Sequence, residues 1–215
     1  MRIHRLLGAA AVATVAALAA NTAGAYVEPV IPTAPTCTQT IGAVTRATLV
    51  VNSPTVACLS GTTVNGSVVV NPGGAVLMTH ATITGNVSTV GATYLMVCAS
   101  TVRGSVTAQS PAGFVEIGDA GVEVACAGNT IGNTVSVLSG EGGYIVDANH
   151  VSGNVTVSNN SGGVQQQPPR PYEIAGNTIG GNLVCQGNNP LPDDDGYPNT
   201  VTGSSVNCAF FVPIS

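Results

Sequence analysis

The sequence contains no lysine and no tryptophan, and only 7 % of its 215 residues are charged, against about 25 % in an average soluble domain. Its five cations are all arginines, and they face ten acidic residues. A chain this poor in cations cannot form the phosphate-neutralising patch that nucleic acid requires. It also lacks the basic face that binds an anionic membrane surface. Serine, threonine, asparagine and glycine must therefore form most of the hydrated surface.

The N-terminal 25 residues have the pattern of a signal peptide. Arg2 and Arg5 precede a nearly unbroken apolar run, Leu6–Ala20, and Ala23-Gly24-Ala25 offers a small-x-small cleavage site. The run is too short to be a comfortable membrane span, and no second run of spanning length follows. We therefore predict a secreted mature chain that begins at Tyr26 and carries a formal charge of −7 after the loss of two arginines.

Two regions follow the predicted cleavage site. Residues 26–36 contain three prolines, which predicts an extended, flexible leader and not a packed element. Residues 37–215 are predicted to form one domain, because a short phrase recurs along them: Thr, an aliphatic residue, a small residue, usually Gly, then Asn or Ser, then another aliphatic. The phrase recurs at Gly66, Gly85 and Gly104 with a spacing of 19 residues. Such a period is typical of a solenoid.

The residue types decide which kind of solenoid is expected. Valine, isoleucine and threonine favour pleated strands, and no part of the mature chain shows helical periodicity. We predict an all-β, single-domain, right-handed parallel β-helix of about seven coils, with loop insertions after Gly104, Gly153 and Gly181. Two aliphatic columns should face its interior. One contains Val64, Ile83, Val102, Ile131, Val151, Ile179 and Val201, and the other contains Val68, Val87, Val106, Val135, Val155 and Leu183.

The C-terminal part of the chain has the most specific pattern. Between Gly176 and Cys208 it reads G-N-T-I-G-G-N-L-V-C-Q-G-N-N-P, then D-G-Y-P-N-T-V-T-G and a closing cysteine. This stretch resembles a signature of small secreted actinobacterial proteins of unassigned function, and that resemblance implies no activity. More loosely, the whole domain is similar to bacterial right-handed β-helix proteins. These include pectin-degrading enzymes, adhesins and polymer-forming scaffolds, so the similarity implies only a fold.

Six cysteines in a secreted chain favour three disulfides. Residues about one coil apart are neighbours in a solenoid, which favours pairs that are adjacent in sequence. A metal site is the competing interpretation, but there is no C-x-x-C pair and the mature chain has two histidines. We therefore expect no metal and no cofactor. The favoured disulfides are Cys37–Cys58, Cys98–Cys126 and Cys185–Cys208, each worth about 3 kcal/mol in the chain-entropy account.

Two acidic groups are candidates for chemistry. Glu116, Asp119 and Glu123 lie close together in sequence, and paired carboxylates can hydrolyse a glycoside by acid/base catalysis. The alternative is a solvated surface that keeps a lysine-free protein soluble. Asp193-Asp194-Asp195 followed by Gly196 could bind Ca²⁺ through oxygen atoms. This run lacks the alternating ligand spacing of a dedicated site, so a solvated loop is favoured.

Asp147, His150 and Ser152 are near one another in sequence and suggest a catalytic triad. No nucleophile elbow surrounds them, and His150 occupies a position that holds threonine in the other copies. A threonine column can order ice-like water when a second column accompanies it, but here the paired position is mixed. We interpret the threonines as strand-forming surface residues. The column is Thr63, Thr82, Thr101, Thr130, His150, Thr178 and Thr200.

These observations predict a secreted, disulfide-stabilised structural or interaction protein of the cell surface or extracellular space, without catalytic activity. Candidate partners are cell-envelope polysaccharide and other extracellular proteins. The alternative is a carbohydrate-binding or polysaccharide-degrading β-helix that uses its insertion loops. A third possibility is end-to-end polymerisation of the solenoid.

Overall fold

The computed structural model describes residues 30–119, 126–161 and 171–208. Within these ranges the protein is built from 23 strands and no helix. It follows that no described helix could span a membrane. The predicted signal peptide lies outside the described residues. So do Glu123, with the rest of residues 120–125, and residues 162–170, which belong to the insertions predicted after Gly104 and Gly153.

The strands follow one another in repeating groups of three, and we call each group a coil. Seven coils are complete and an eighth contributes two strands. In chain order the strands are β1 (Gln39–Ile41), β2 (Thr45–Arg46), β3 (Leu49–Val51); β4 (Val56–Ser60), β5 (Thr63–Val64), β6 (Val68–Val70); β7 (Ala75–Thr79), β8 (Thr82–Ile83), β9 (Val87–Val90); β10 (Tyr94–Cys98), β11 (Thr101–Val102), β12 (Val106–Gln109); β13 (Phe114–Ile117), β14 (Thr130–Ile131), β15 (Val135–Leu138); β16 (Tyr144–Asp147), β17 (His150–Val151), β18 (Val155–Ser158); β19 (Tyr172–Ala175), β20 (Thr178–Ile179), β21 (Leu183–Gln186); and β22 (Thr200–Val201), β23 (Ser205–Val206).

Equivalent strands of successive coils pair in parallel and form three sheets. Sheet A has the order β1-β4-β7-β10-β13-β16-β19, and sheet B has the order β2-β5-β8-β11-β14-β17-β20-β22. Sheet C runs β3-β6-β9-β12-β15-β18-β21-β23. The prediction of an all-β parallel β-helix is therefore confirmed. The repeated phrase supplies the strands of sheets B and C, and the segment between two phrases supplies the strand of sheet A.

The two predicted aliphatic columns face the interior. Val102 is in register with Ile83 and Ile131 in sheet B, and Val106 is in register with Val87 and Val135 in sheet C. Both columns are fully buried from coil 2 to coil 7, whereas Val201 in the last coil is partly exposed. Each aliphatic residue therefore packs against its equivalents one coil above and below, and removing this surface from water stabilises the stack.

Glycine in the repeated phrase permits close stacking of the turns between sheets B and C. A Cβ atom on Gly85 would lie 2.7 Å from the carbonyl oxygen of Gly66, and one on Gly104 would lie 2.6 Å from that of Gly85. Neither Gly85 nor Gly104 adopts a positive φ, so the requirement is the approach of the neighbouring coil's backbone.

Three disulfides link neighbouring coils: Cys37–Cys58, Cys98–Cys126 and Cys185–Cys208, with Cα–Cα distances of 5.7, 4.8 and 4.8 Å. They are the pairs that stacking of adjacent coils favoured. The first lies at the N-terminal end of the stack, the third at the C-terminal end, and the second beside the loop that follows β13. Disulfides of this kind are typical of an oxidising compartment.

Two segments that the sequence assigned to loops contribute to the stack. Tyr172, predicted to belong to an insertion, begins strand β19 and pairs with Tyr144 in sheet A. Asn188, also predicted to be in an insertion, is buried and bonded to Asn160 of the coil above. Strands were predicted where aliphatic residues recur at regular positions, and neither of these two segments has a regular aliphatic pattern.

The described part of the predicted leader packs against the outer face of sheet A. Ile31 contacts an apolar cluster that includes Leu77, Tyr94 and Phe114, and the hydroxyl of Tyr94 donates to the carbonyl oxygen of Pro32 at 3.4 Å. Ile31 and Pro32 are therefore packed, where the sequence predicted no packed element. The apolar outer face of the first strands of sheet A is the reason, because it must be covered.

Candidate functional site

The outer face of sheet B carries an uninterrupted column of register-matched polar side chains. Thr45 extends the predicted column by one coil, and His150 pairs with Thr130 and Thr178. His150 is exposed, as expected of a surface substitution. Strand spacing places these side chains about 4.8 Å apart. The accompanying outward position is mixed: Ala47, Asn65, Thr84, Arg103, Gly132, Ser152, Gly180 and Thr202.

Sheet C continues this surface around the solenoid. Its central outward positions hold small hydroxyl or valine side chains: Val50, Val69, Ser88, Thr107, Ser136, Thr156, Val184 and Val206. Within the strands of sheets B and C, Arg46 and His150 are the only residues with a basic side chain, and none is acidic. We call the outward faces of sheets B and C the hydroxyl wall. It is a regular, almost uncharged surface.

Acidic residues gather instead on the outer side of sheet A. Glu116, Ile145 and Glu173 occupy one outward position in successive coils, and Glu173 forms an isolated parallel bridge with Asp193. Asp147 projects from the same side, where its pKa is affected by the charges of Asp119 and Asp195. We call Glu116, Asp119, Asp147, Glu173 and Asp195 the acidic column.

Glu116 lies at one end of the acidic column and is 1 % exposed. Its Oε2 atom lies 3.4 Å from the hydroxyl oxygen of Tyr94. Burial, followed by the charge of Asp119, raises the pKa of Glu116 to about 7. Side-chain atoms of Cys98, Glu116 and Cys126 lie within 4.8 Å of one another, but both sulfur atoms belong to a disulfide and cannot act as thiolate ligands.

The other end of the acidic column is built from three successive coils. Oδ1 of Asp147, which is completely buried, accepts the backbone N–H of Ala175 at 2.7 Å. Burial is the main cause that raises the pKa of Asp147, of Glu173 and of Asp195. The neighbouring carboxylates Asp147 and Asp195 raise the pKa of Glu173 further. These groups share one environment that disfavours negative charge.

The structure unites two acidic groups that the sequence treated separately. The charge of Asp119, from the predicted catalytic group, contributes to raising the pKa of Asp195, from the predicted calcium loop. Glu116 belongs to the same acidic column, whereas Glu123 lies outside the described residues. Asp193 is held at β19, because its backbone exchanges hydrogen bonds with Tyr172 and Ile174.

The suggested triad is not assembled. Asp147 projects from sheet A and is buried, whereas His150 and Ser152 are exposed on the outward side of sheet B. The sequence missed Asp147 and Glu173 as members of the acidic column. One signal could have found Glu173, because Val115-Glu116-Ile117 and Tyr172-Glu173-Ile174 share a pattern of aromatic or aliphatic, acidic, then aliphatic residues.

A cavity of about 290 Å³ lies between the leader and the corner that joins sheets C and A. Pro32, Pro35, Tyr94 and Phe114 line it. Tyr94 and Phe114 are 5 % and 2 % exposed, so neither offers an open ring face on which a sugar could stack.

Comparison with known proteins finds no matching family model, no matching curated protein and no matching solved structure. Function is therefore inferred from the surfaces of the protein itself. In the part of the chain that the structure describes, the hydroxyl wall and the acidic column are the two features with a distinct chemistry.

Proposed function

We propose that the protein is a secreted structural or interaction protein whose hydroxyl wall binds a neutral polysaccharide of the cell envelope. The observation that carries this proposal is the register-matched column of outward threonine side chains on sheet B, in which His150 takes one position. Hydroxyl groups both donate and accept hydrogen bonds, as the hydroxyls of a neutral sugar do. An oxidising compartment, which the three disulfides indicate, is consistent with an extracellular location.

The rigidity of the stack supports the same role. Each disulfide joins adjacent coils, and the described core is continuous from Ile41 to Cys185. A surface held in this way loses little conformational entropy when it binds an extended polymer. We infer that the solenoid serves as a rigid spacer or adhesive element, with the wall as its contact surface.

Retention on insoluble neutral polysaccharides tests this proposal. Purified mature protein is incubated with cell-wall sacculi, cellulose and chitin at low and at high salt, and the bound fraction is measured after sedimentation. We expect retention on at least one polymer that does not fall with salt, because the wall has almost no charge to screen. Substitution of both Thr101 and Thr178 by Glu should reduce the bound fraction at least tenfold.

A matched control adds the same charge elsewhere. Thr36 and Ala112 are exposed and lie outside the wall, so substituting both by Glu should leave retention unchanged. The absence of retention by the wild type on all three polymers would overturn the proposal, as would equal losses in the two double variants.

Polysaccharide cleavage is the second candidate, and the acidic column is the feature that favours it. Glu116 and Asp147 are buried, but Glu173 is partly exposed and has a raised pKa, as a general acid requires. A reducing-end assay on soluble glycans distinguishes the two functions. New reducing ends that disappear with Glu173→Gln would establish cleavage and replace the structural role.

A further inference from the structure

The threonine column, which runs from Thr45 in coil 1 to Thr200 in coil 8 on the outer face of sheet B, keeps its hydrogen-bonding groups available. None of its threonine hydroxyls donates to or accepts from another group of the described residues. Threonines elsewhere are used internally. The hydroxyl of Thr62 donates to the carbonyl oxygen of Ile41 at 2.8 Å, and that of Thr93 donates to Gly74 at 3.2 Å. Each threonine of the column therefore offers a donor and an acceptor to a molecule outside the solenoid.

The positions of this column follow one another without interruption. Sheet B contains eight strands in register, and strand spacing gives the column a length of roughly 34 Å. Every connection from sheet B to sheet C is two or three residues long, and the longer segments that follow β13, β18 and β21 lie outside these connections. Hydroxyl groups therefore repeat along the solenoid axis at one strand spacing, whereas across the axis each strand of sheet B contributes two residues.

We propose that the hydroxyl wall binds a straight, β-1,4-linked glycan chain that lies parallel to the solenoid axis, along the threonine column. This inference rests on the proposed function and names the class of polysaccharide that the wall recognises. In a β-1,4-linked chain of glucose-type sugars, both glycosidic bonds of each sugar are equatorial. The chain is therefore extended, and each sugar advances it by nearly one strand spacing, so that successive sugars meet successive coils.

The linkage decides whether a chain can follow the column. An α-1,4-linked chain coils, because one glycosidic bond of each sugar is axial, and a β-1,3-linked chain curves. Neither keeps consecutive sugars over consecutive coils. A chain laid across the axis would meet the two residues of one strand of sheet B and then leave the column. The repeat along the axis therefore favours an extended chain in the axial orientation.

The affinity of such a surface must come from the number of its contacts. A hydrogen bond between exposed hydroxyls replaces bonds to water, so each one contributes little. Once one sugar is held, the next sugar of the same chain lies close to the next coil, and further contacts form at a high effective concentration. A stiff chain on a rigid stack also loses little conformational entropy. We therefore expect affinity to rise with the length of the chain.

Binding of soluble oligosaccharides of defined linkage tests the inference. The full mature protein is titrated by isothermal calorimetry with the disaccharides and hexasaccharides of cellulose and chitin. Maltohexaose and laminarihexaose, which have α-1,4 and β-1,3 linkages, are the matched controls. We expect cellohexaose or chitohexaose to bind at least tenfold more tightly than its own disaccharide. We expect the two control hexasaccharides to bind at least tenfold more weakly than that ligand.

A single substitution in the middle of the column distinguishes an axial chain from a transverse one. Thr101→Glu places a longer, charged side chain in coil 4 and leaves runs of three and four coils on either side. Thr45→Glu places the same side chain in coil 1 and leaves seven consecutive coils. Both positions are exposed, and circular dichroism checks that both variants are folded. We expect Thr101→Glu to lower the affinity for the hexasaccharide at least tenfold and Thr45→Glu to lower it less than twofold.

Equal effects of the two substitutions would overturn the axial orientation, because a chain that crosses one coil loses one of eight equivalent positions in either variant. Equal affinity for maltohexaose and cellohexaose would overturn the preference for linkage and leave the hydroxyl wall as a general polysaccharide surface. Retention on an insoluble polymer without binding of either β-1,4-linked hexasaccharide would also overturn the inference. Retention on none of the polymers would remove the proposed function together with it.

Discussion

Asn149 illustrates how this solenoid satisfies buried polar groups at its corners. Its side-chain oxygen accepts the backbone N–H of Asn129 at 3.0 Å and the amide Nδ2 of Asn129 at 2.9 Å. Its own Nδ2 donates to the carbonyl oxygen of Ile117 at 2.6 Å and to Oδ1 of Asn177 at 3.0 Å. Asn177 repeats the arrangement with Asn199. Stacked asparagines therefore replace hydrogen bonds that the sheets do not provide at the corner between sheets A and B.

Replacing Asn149 by Ala should destabilise the protein by roughly 2–5 kcal/mol. The substitution leaves buried partners on Asn129 and Ile117 unsatisfied, which costs more than the loss of an exposed hydrogen bond. Urea unfolding followed by far-ultraviolet circular dichroism measures the change. Asn154→Ala is the control, because the side chain of Asn154 is exposed and accepts the N–H of Asn182 at 2.7 Å. Equal losses in the two variants would contradict this role of burial.

Glu116 gives the protein a specific dependence on pH. Its folded pKa of about 7 exceeds the ordinary value of 4.5, so the folded state holds this proton more tightly than the unfolded state. Its contribution to stability is fully present below pH 4.5 and is lost as pH rises through 7. The shift corresponds to up to about 3 kcal/mol.

We therefore predict that Glu116→Gln flattens the stability profile between pH 4 and pH 9. The variant should match the wild type near pH 4 and be more stable at pH 8, because glutamine carries no charge to bury. Urea midpoints across this range measure the effect, with Glu141→Gln as the exposed control. Parallel profiles of wild type and Glu116→Gln would show that Glu116 does not titrate as described.

At the residue scale, the sequence predicts apolar positions well and polar ones poorly. The columns through Val102 and Val106 follow from the strand pattern alone, because their side chains need only an apolar interior. The hydrogen-bond partners of Asn149 and Asp147 depend on which residues of the neighbouring coils lie beside them. Because the spacing between equivalent residues varies from 20 to 29 in this part of the chain, the sequence does not reveal that register. The recurrent Asn before Thr, as in Asn177-Thr178, was visible in the sequence, but its burial was not.

At the element scale, the first coil presents three strands at sheet edges. β1, β2 and β3 each pair with one strand only, and an open edge can pair with another chain. Arg46 in β2 is in register with Val64, the first residue of the inner column. Arg46 is exposed and takes a position that is aliphatic in every later coil, so we expect its charge to oppose the addition of another copy to this edge.

Arg46→Val should therefore promote self-association. The substitution extends the aliphatic column to the open edge, and light scattering with size-exclusion chromatography should detect oligomers at concentrations where the wild type is monomeric. Negative-stain microscopy would show whether they are end-to-end rods. Arg103→Val removes a cation from the outward side of sheet B and should leave the protein monomeric. Filaments of the wild type itself would contradict this function of Arg46.

The strands themselves differ in how well the sequence predicts them. Sheets B and C follow from the repeated phrase, because each copy places an aliphatic residue in each sheet. Strand β19 was missed because it follows a proline-rich segment and contains Glu173 at its outward position. The acidic column lies in this less regular sheet, which is why its convergence could not be predicted from spacing.

At the scale of the whole molecule, chemistry is segregated around the solenoid axis. Sheets B and C form an almost uncharged wall, whereas the outer side of sheet A carries Ile31 and Pro32 of the leader and the acidic column. The three disulfides link neighbouring coils near both ends and in the middle of the stack. The surface that we propose for a neutral polymer and the acidic column therefore lie on different faces of the solenoid.

Disulfide mapping of the native protein tests in-register stacking most directly. Six cysteines allow 15 complete pairings, and only neighbours in adjacent coils can be joined in a parallel β-helix. Non-reducing proteolysis with mass spectrometry should recover Cys37–Cys58, Cys98–Cys126 and Cys185–Cys208. A native bond between cysteines of distant coils, such as Cys37 with Cys208, would contradict the stacked architecture.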